Sequence, residues 1–320
     1  MTPTPAEIIR IGISSCLLGE KVRFDGGHKR DPFLVDLFGR FVEWVPVCPE
    51  VELGLGTPRE SLRLIRSAGE IRMVNTKSER DITDAMRDWS RRRADQLARE
   101  RLAGYVFKKD SPSCGMERVK VYADGGVPGK NGRGLFADAL MTRFPLLPCE
   151  EEGRLSDARL RDNFIERVFG YVRLRALFDR AWTLGDLVRF HTAHKMALLA
   201  HSTDIYNEMG RLVARAKSLP RTDLESRYRE RFMAALALVA TTRKHTNVLS
   251  HMAGHFKQVL DPADRQELVS VIDDYRRGLV PLIVPITLLR HHVRRHAIDY
   301  LAGQVYLDPH PKELLLRNHV

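Results

Sequence analysis

Three cysteines stand where loops leave apolar runs. Cys16 closes Ile11-Gly12-Ile13-Ser14-Ser15-Cys16, Cys48 closes Trp44-Val45-Pro46-Val47-Cys48, and Cys114 follows Tyr105-Val106-Phe107 through Ser111-Pro112-Ser113. Each has a proline or glycine within three positions, which lets loop backbone approach a ligand closely. Thiolates are soft donors suited to zinc or iron–sulfur groups, and three without a fourth describe a metal centre with one open position. No Cys-x-x-Cys pair occurs, so spacing alone leaves open three small packed residues, since free cysteine is often buried. The fourth cysteine, Cys149, reads as a packed thiol; as a ligand it would close the open position. Four cysteines in 320 residues do not predict a disulfide framework.

The elements around these residues must bring them together. Apolar runs at Ile8–Ile13, Phe41–Val47 and Gly104–Phe107 read as strands, with Ile71–Val74 as an edge strand. Helical patterns lie between them, at Pro32–Gly39, Asp81–Leu102 and Leu135–Phe144. Strand–helix alternation predicts an α/β domain with a mostly parallel, Rossmann-like sheet and flanking helices. The carboxyl ends of parallel strands share one edge, where open α/β sheets bind ligands, so the three cysteines can converge there. Gly129-Lys130-Asn131-Gly132-Arg133-Gly134 resembles a phosphate nest but lacks the Walker ending, and is expected to be a turn.

The second half has little strand pattern. Phe232, Leu236 and Val239 fall at helical spacing, as do Leu249, Met252 and Phe256, with prolines punctuating the segments. An all-α domain is expected over residues 186–320, joined to the domain at 1–155 by a helical connector at 156–185. Residues 156–320 hold 26 Lys and Arg against 18 Asp and Glu, whereas the residues before them hold 26 against 23. With the formal charge of +11, a polyanionic partner fits the second half better than the first. The opening MTPTPAEIIR lacks a basic segment followed by an apolar one, which predicts a cytoplasmic protein. The longest apolar run, Leu279–Leu289, is short and interrupted by Pro281 and Pro285, so no membrane span is expected.

Several stretches together resemble a known family. Ser14-Ser15-Cys16-Leu17-Leu18-Gly19 with Arg23-Phe24-Asp25-Gly26 is similar to the opening of the TudS-type thiouracil desulfidases. So are Cys48-Pro49-Glu50-Val51-Glu52 with Gly54-Leu55-Gly56-Thr57-Pro58-Arg59, and Ser111-Pro112-Ser113-Cys114-Gly115. The second half resembles the helical domain often fused to it, at Phe190-His191-Thr192-Ala193-His194-Lys195, Thr242-Arg243-Lys244-His245-Thr246-Asn247 and Arg317-Asn318-His319. The whole chain therefore looks like the fused desulfidases that act on 4-thiouridine in tRNA. The resemblance implies a 4Fe–4S cluster bound by Cys16, Cys48 and Cys114 with one open iron site, and catalytic roles for Glu50 and Ser111. It implies a non-redox, hydrolytic exchange of sulfur for oxygen with sulfide release, on tRNA and also on free thiouracil or thiouridine.

Expected contacts with the substrate or its RNA backbone are Arg59, Lys108 and Lys109 beside the site. In the helical half they are Arg243, then Lys244, His251 and His255, which last three form one polar helix stripe with Asn247, and Arg290, Arg294 and Arg295. A zinc site is a weaker reading of the pairs His251/His255, His292/His296 and His191/His194, because no cysteine accompanies them. The rival function is a nucleic-acid-binding regulator whose iron–sulfur or zinc site is a sensor. Glu50 and Ser111 beside the thiols favour an enzyme, since a sensor has no need of them.

Overall fold

The computed structural model describes residues 8–123 and 127–320; residues 1–7, read above for a leader, lie outside the described residues. The chain forms two compact units, one ending at Ser156 and the next beginning at Asp157.

The first unit holds two four-stranded sheets. One contains β1 (Arg10–Ser14), β2 (Glu43–Val47), β5 (Gly104–Phe107) and β8 (Cys149–Glu151) in the order β2-β1-β5-β8, all parallel. Ile11, Ile13, Val106 and Phe107 are fully buried, as expected for central parallel strands. The register pairs Ser14 with Val47 and Ile13 with Val106, so β1, β2 and β5 end at one edge. The second sheet orders β4 (Glu70–Asn75), β3 (Leu62–Ser67), β6 (Val119–Tyr122) and β7 (Gly129–Gly132). Its β3–β4 hairpin turns on Ala68 and Gly69, both at positive φ, the conformation that a two-residue turn between twisted strands requires.

This second sheet was visible in sequence only as the edge strand at 71–74. Arg63 and Arg66 interrupt the apolar pattern of β3, and β6 and β7 have four residues each. The glycine-rich stretch expected to be a turn is instead β7, antiparallel to β6. The helices are α1 (Pro49–Glu52), α2 (Thr83–Leu97) and α3 (Leu135–Arg143). The helix expected at 32–39 is one π turn, Phe33–Leu37, followed by a 3-10 turn, Phe38–Arg40.

The second unit is helical: α4 (Ala158–Phe178), α5 (Leu184–His201), α6 (Thr203–Ala214), α7 (Arg221–Ala237), α8 (Thr242–Gly254), α9 (Pro262–Arg276), α10 (Ile283–Arg295) and α11 (Asp299–Ala302). The segment expected to connect two domains, 156–185, is mostly α4, which buries Phe164, Ile165, Val168 and Leu174 within this unit. Side-chain caps open α4, α5, α6, α8 and α9, satisfying backbone N–H groups that the helices leave free. Pro285, which suggested a break, sits in the first turn of α10, where a missing N–H does no harm. Val248, Leu249, Met252, Phe256, Ile286 and Leu289 form one apolar core. Among the described residues no helix is long and apolar enough to cross a membrane.

Candidate active site

Cys16, Cys48 and Cys114 line one pocket of about 320 Å³ at the carboxyl edge of the parallel sheet. Cys16 follows β1 in a 3-10 turn, and Cys48 caps α1, whose proline stands at the first helical position. Glu52 reaches back to accept the Cys48 N–H at 3.1 Å and pairs with Arg93 at 2.9 Å, tying α1 to α2. The third loop is held from within: Ser111 Oγ accepts the N–H groups of Ser113 (3.3 Å) and Cys114 (3.1 Å), and the Gly115 N–H donates to Ser111 O at 2.8 Å.

Two glycines make that loop possible. A Cβ on Gly115 would stand 2.3 Å from Val119 Cγ2 and 2.8 Å from Ser111 O. A Cβ on Gly134 would stand 2.5 Å from the Ser113 carbonyl, against which the start of α3 packs. The stretch compared above with a phosphate nest thus ends in a helix-docking glycine. Phe136 N–H donates to Ser113 O at 3.0 Å, completing the seam.

A hydrogen-bonded chain runs along the pocket wall. Ser113 Oγ donates to Glu50 Oε1 at 2.6 Å and lies 3.0 Å from Ser111 Oγ. Arg59 Nε donates to Glu50 Oε2 at 2.9 Å, and its Nη2 donates to the same oxygen. Arg59 Nη1 in turn donates to the carbonyls of Val22 and Gly56, each at 2.9 Å. Both oxygens of Glu50 are thereby fixed. Arg59, expected at the substrate, lines the pocket and is almost fully buried there as the clamp on Glu50.

Lys108 lines the same pocket, its Nζ 2.5 Å from Glu152 with both side chains largely buried. The Lys109 side chain stays exposed at the rim. Ser113, fully buried, is the site residue that sequence reasoning passed over; its signal was the second serine of Ser-Pro-Ser-Cys.

Burial pushes the Cys16 thiol up to about 11, with Lys108 opposing and Cys48 reinforcing the shift. Burial likewise raises Cys48 and Cys114, and ionising Cys114 is further opposed by Glu50, Cys48 and Cys16. Two buried thiols and a partly buried one, which repel one another as thiolates, need a cationic group to hold them ionised, and binding it releases their protons. Among the described residues, no three His, Cys, Asp or Glu side chains are grouped closely enough to hold a single metal ion. By the chemistry of their donor atoms, three thiols lining one pocket suit a soft-metal or iron–sulfur group. Cys149 lies buried in β8, consistent with a packed thiol.

Residues 11–152 match the 2-thiouracil desulfurase family, and residues 195–311 match DUF1722, a family of unknown function. The uncharacterized protein YbgA of Escherichia coli K12 is 34% identical over 161 residues, half of this chain and 95% of that protein. The first half of the chain is a 2-thiouracil desulfurase domain. It is joined to a helical DUF1722 domain. The uncharacterized protein YbbK of Bacillus subtilis 168 is 29% identical over 108 residues, 32% of this chain and 71% of that protein. Among solved structures, the [4Fe-4S]-dependent thiouracil desulfidase TudS is 29% identical, spanning 46% of this chain and 93% of that one, with a TM-score of 0.39.

The helical half of the desulfurase separates the expected RNA contacts. On α8 and at its end, Arg243, His251 and His255 are exposed, and Arg294 and Arg295 are exposed on α10. Lys244 Nζ instead donates to His201 O at 2.5 Å, Arg290 pairs with Asp308 at 2.7 Å, and Arg295 lies 3.5 Å from Asp264. The histidines divide too: His191, His194, His201, His245 and His292 are buried and cannot meet RNA. The weaker zinc reading of the paired histidines gains no third donor among the described residues.

Proposed function

We propose that this desulfurase removes sulfur from 4-thiouridine in tRNA, and from free thiolated pyrimidines, by hydrolytic exchange for oxygen. Cys16, Cys48 and Cys114 would hold a 4Fe–4S cluster with one iron open. Bound there, the cluster supplies a soft Lewis acid suited to a thiocarbonyl sulfur. The observation that carries the reading is the ordered chain Ser111–Ser113–Glu50–Arg59 on the wall that also carries the three thiols.

In this reading the Glu50 carboxylate takes a proton from the water that adds to C4 of the pyrimidine ring, while Ser111 orients that water. Water and thiocarbonyl become carbonyl and hydrogen sulfide, with no electron donor. Arg59 and Ser113 hold Glu50 in one rotamer, so its proton-accepting geometry is set before substrate enters. A sensor requires only the thiols; the oriented carboxylate beside them favours the enzyme. The exposed cations Arg243, Arg294 and Arg295, together with the positive balance of the helical half, support a role there in gripping the tRNA backbone.

The test is anaerobic reconstitution of the full chain, followed by sulfide release and thiouridine loss on tRNA containing 4-thiouridine and on free 4-thiouracil. Release from both supports the whole proposal. Release from thiouracil alone removes tRNA, and release from neither removes the enzyme.

A further inference from the structure

The pocket contains one aromatic side chain that the reaction just described does not use. Phe24 is the sole aromatic among the described residues lining it, and the residue is 42% exposed. An exposed ring on a loose loop would be unremarkable, but this loop is stitched at many points. Arg59 N–H donates to Phe24 O at 2.9 Å, Gly26 N–H to Arg23 O at 2.9 Å, and Gly27 N–H to Asp25 Oδ1 at 3.0 Å. Lys29 N–H donates to the carbonyl of Cys16 at 2.9 Å, anchoring the loop's far end to a cysteine of the site.

The same Arg59 therefore holds Glu50 with its side chain and Phe24 with its backbone. The backbone that carries the ring and the carboxylate are thus tied to one residue. The Arg23 guanidinium lies 5.5 Å from the Phe24 ring centre, extending the ring into a mixed cation–aromatic surface. An aromatic side chain on a hydrogen-bonded loop lining a pocket offers a π face on which a planar ring can stack.

We propose that Phe24 is the stacking platform for the substrate's heteroaromatic ring, making the pocket selective for planar thiolated bases over non-aromatic thiocarbonyl compounds. The proposal rests on the desulfurase reading, yet ring recognition can be measured apart from turnover.

The experiment compares wild type with F24L, F24Y and F24W as cluster-loaded full chains. It reads uracil binding by calorimetry, and kcat and KM with 4-thiouracil. F24L is expected to weaken uracil binding and to raise KM about tenfold, the scale of one base–aromatic stack. F24Y and F24W are expected to restore both. Cluster absorbance and the thermal midpoint identify any variant that has lost its cluster or fold. Wild-type uracil affinity in F24L, losses that neither aromatic variant restores, or no uracil binding by wild type would each overturn the proposal. If uracil binding depends on Phe24 while no thiolated pyrimidine is turned over, the platform stands and the desulfurase reading falls.

Discussion

Each unit buries a carboxylate among cations and hydrogen-bond donors, but the two arrangements differ in what lies beside them. In the first unit, Glu50 is fixed by Arg59 and Ser113 on the wall of a pocket of about 320 Å³. In the second, Glu166 lies 3.5 Å from His201 and 3.9 Å from Arg317, and Asp162 lies 2.9 Å from His310. The cavity adjoining that second cluster measures about 10 Å³, room for about one water at most. His201 Nδ1 donates to Leu238 O at 2.6 Å and Arg317 Nη1 to Tyr306 O at 2.5 Å, so these groups are committed to the protein itself. In the proposed mechanism, similar residue types thus serve chemistry in one unit, whereas in the other they serve cohesion. Access to a ligand-sized space separates them.

The largest expected effect lies on the open side of that comparison. Glu50→Ala should lower turnover by about 10²- to 10⁴-fold, the usual weight of a general base, while the cluster absorbance persists. Turnover close to wild type would remove Glu50 from the mechanism. On the closed side, Glu166→Ala leaves buried cations without their partner, and should destabilise the helical unit by about 3–5 kcal/mol in urea unfolding. If it instead abolished turnover of free thiouracil in a folded protein, the sealed cluster would be machinery after all.

Acid should act on the same sealed region. Burial depresses His191 to about 4 and His194 and His245 to about 3, so they stay neutral when folded at pH values where the unfolded chain protonates them. His194 shows why: Arg173 Nε donates to its Nε2 at 3.2 Å, and its Nδ1 lies 2.7 Å from Phe190 O. Below pH about 6.5 the unfolded state binds more protons, and each histidine lowers stability by about 1.4 kcal/mol per pH unit until its folded value is reached. Burial opposes the charge of Glu166, but His201 and Arg317 outweigh it and hold the carboxyl low, adding a loss of the same sign below about pH 4.5. Burial disfavours the His201 cation, but Glu166 outweighs this and raises its pKa; that contribution is present below about 6.5 and fades as pH rises through the raised value. The helical unfolding midpoint should therefore fall steeply from pH 6 to 4. A flat profile would refute the assignment of these histidines as neutral core residues.

Smaller effects refine the open side. Ser113→Ala removes one hydrogen bond to a charged group, worth about 1.5–3 kcal/mol, and should lower kcat by about tenfold or more with the fold retained. An unchanged kcat would mean that Arg59 alone suffices to place Glu50. Smallest is Arg294→Ala, which should reduce the salt dependence of tRNA binding by about one unit of slope and leave thiouracil turnover unchanged. An unchanged slope would move the RNA-binding surface elsewhere.

Much of the first unit was legible because its signals are local. Gly104–Phe107 and Leu135–Arg143 announce themselves by apolar pattern and flanking residues, and the parallel sheet follows from their alternation. The second sheet was largely hidden, because short strands bearing arginine or glycine carry little periodicity. Arg59 and Lys108 were placed beside the site by their neighbourhood in sequence and do line the pocket, but their pairing with Glu50 and Glu152, 9 and 44 residues away, was not legible. The burial of His191 and His194 was likewise not legible: they are polar by type, but the surrounding helices decide that they are core.

Sequence by itself determined the residue kinds at the strand ends, the turn chemistry that permits them there, and the change from alternating to wholly helical pattern at mid-chain. These depend on neighbours a few positions apart. Tertiary structure alone decided that Ser113 joins Ser111 to Glu50, that Arg59 anchors both Glu50 and Phe24, and that Glu166 has no ligand-sized opening. Those outcomes depend on strand order, register and the packing of distant segments. No local window of residues contains that information.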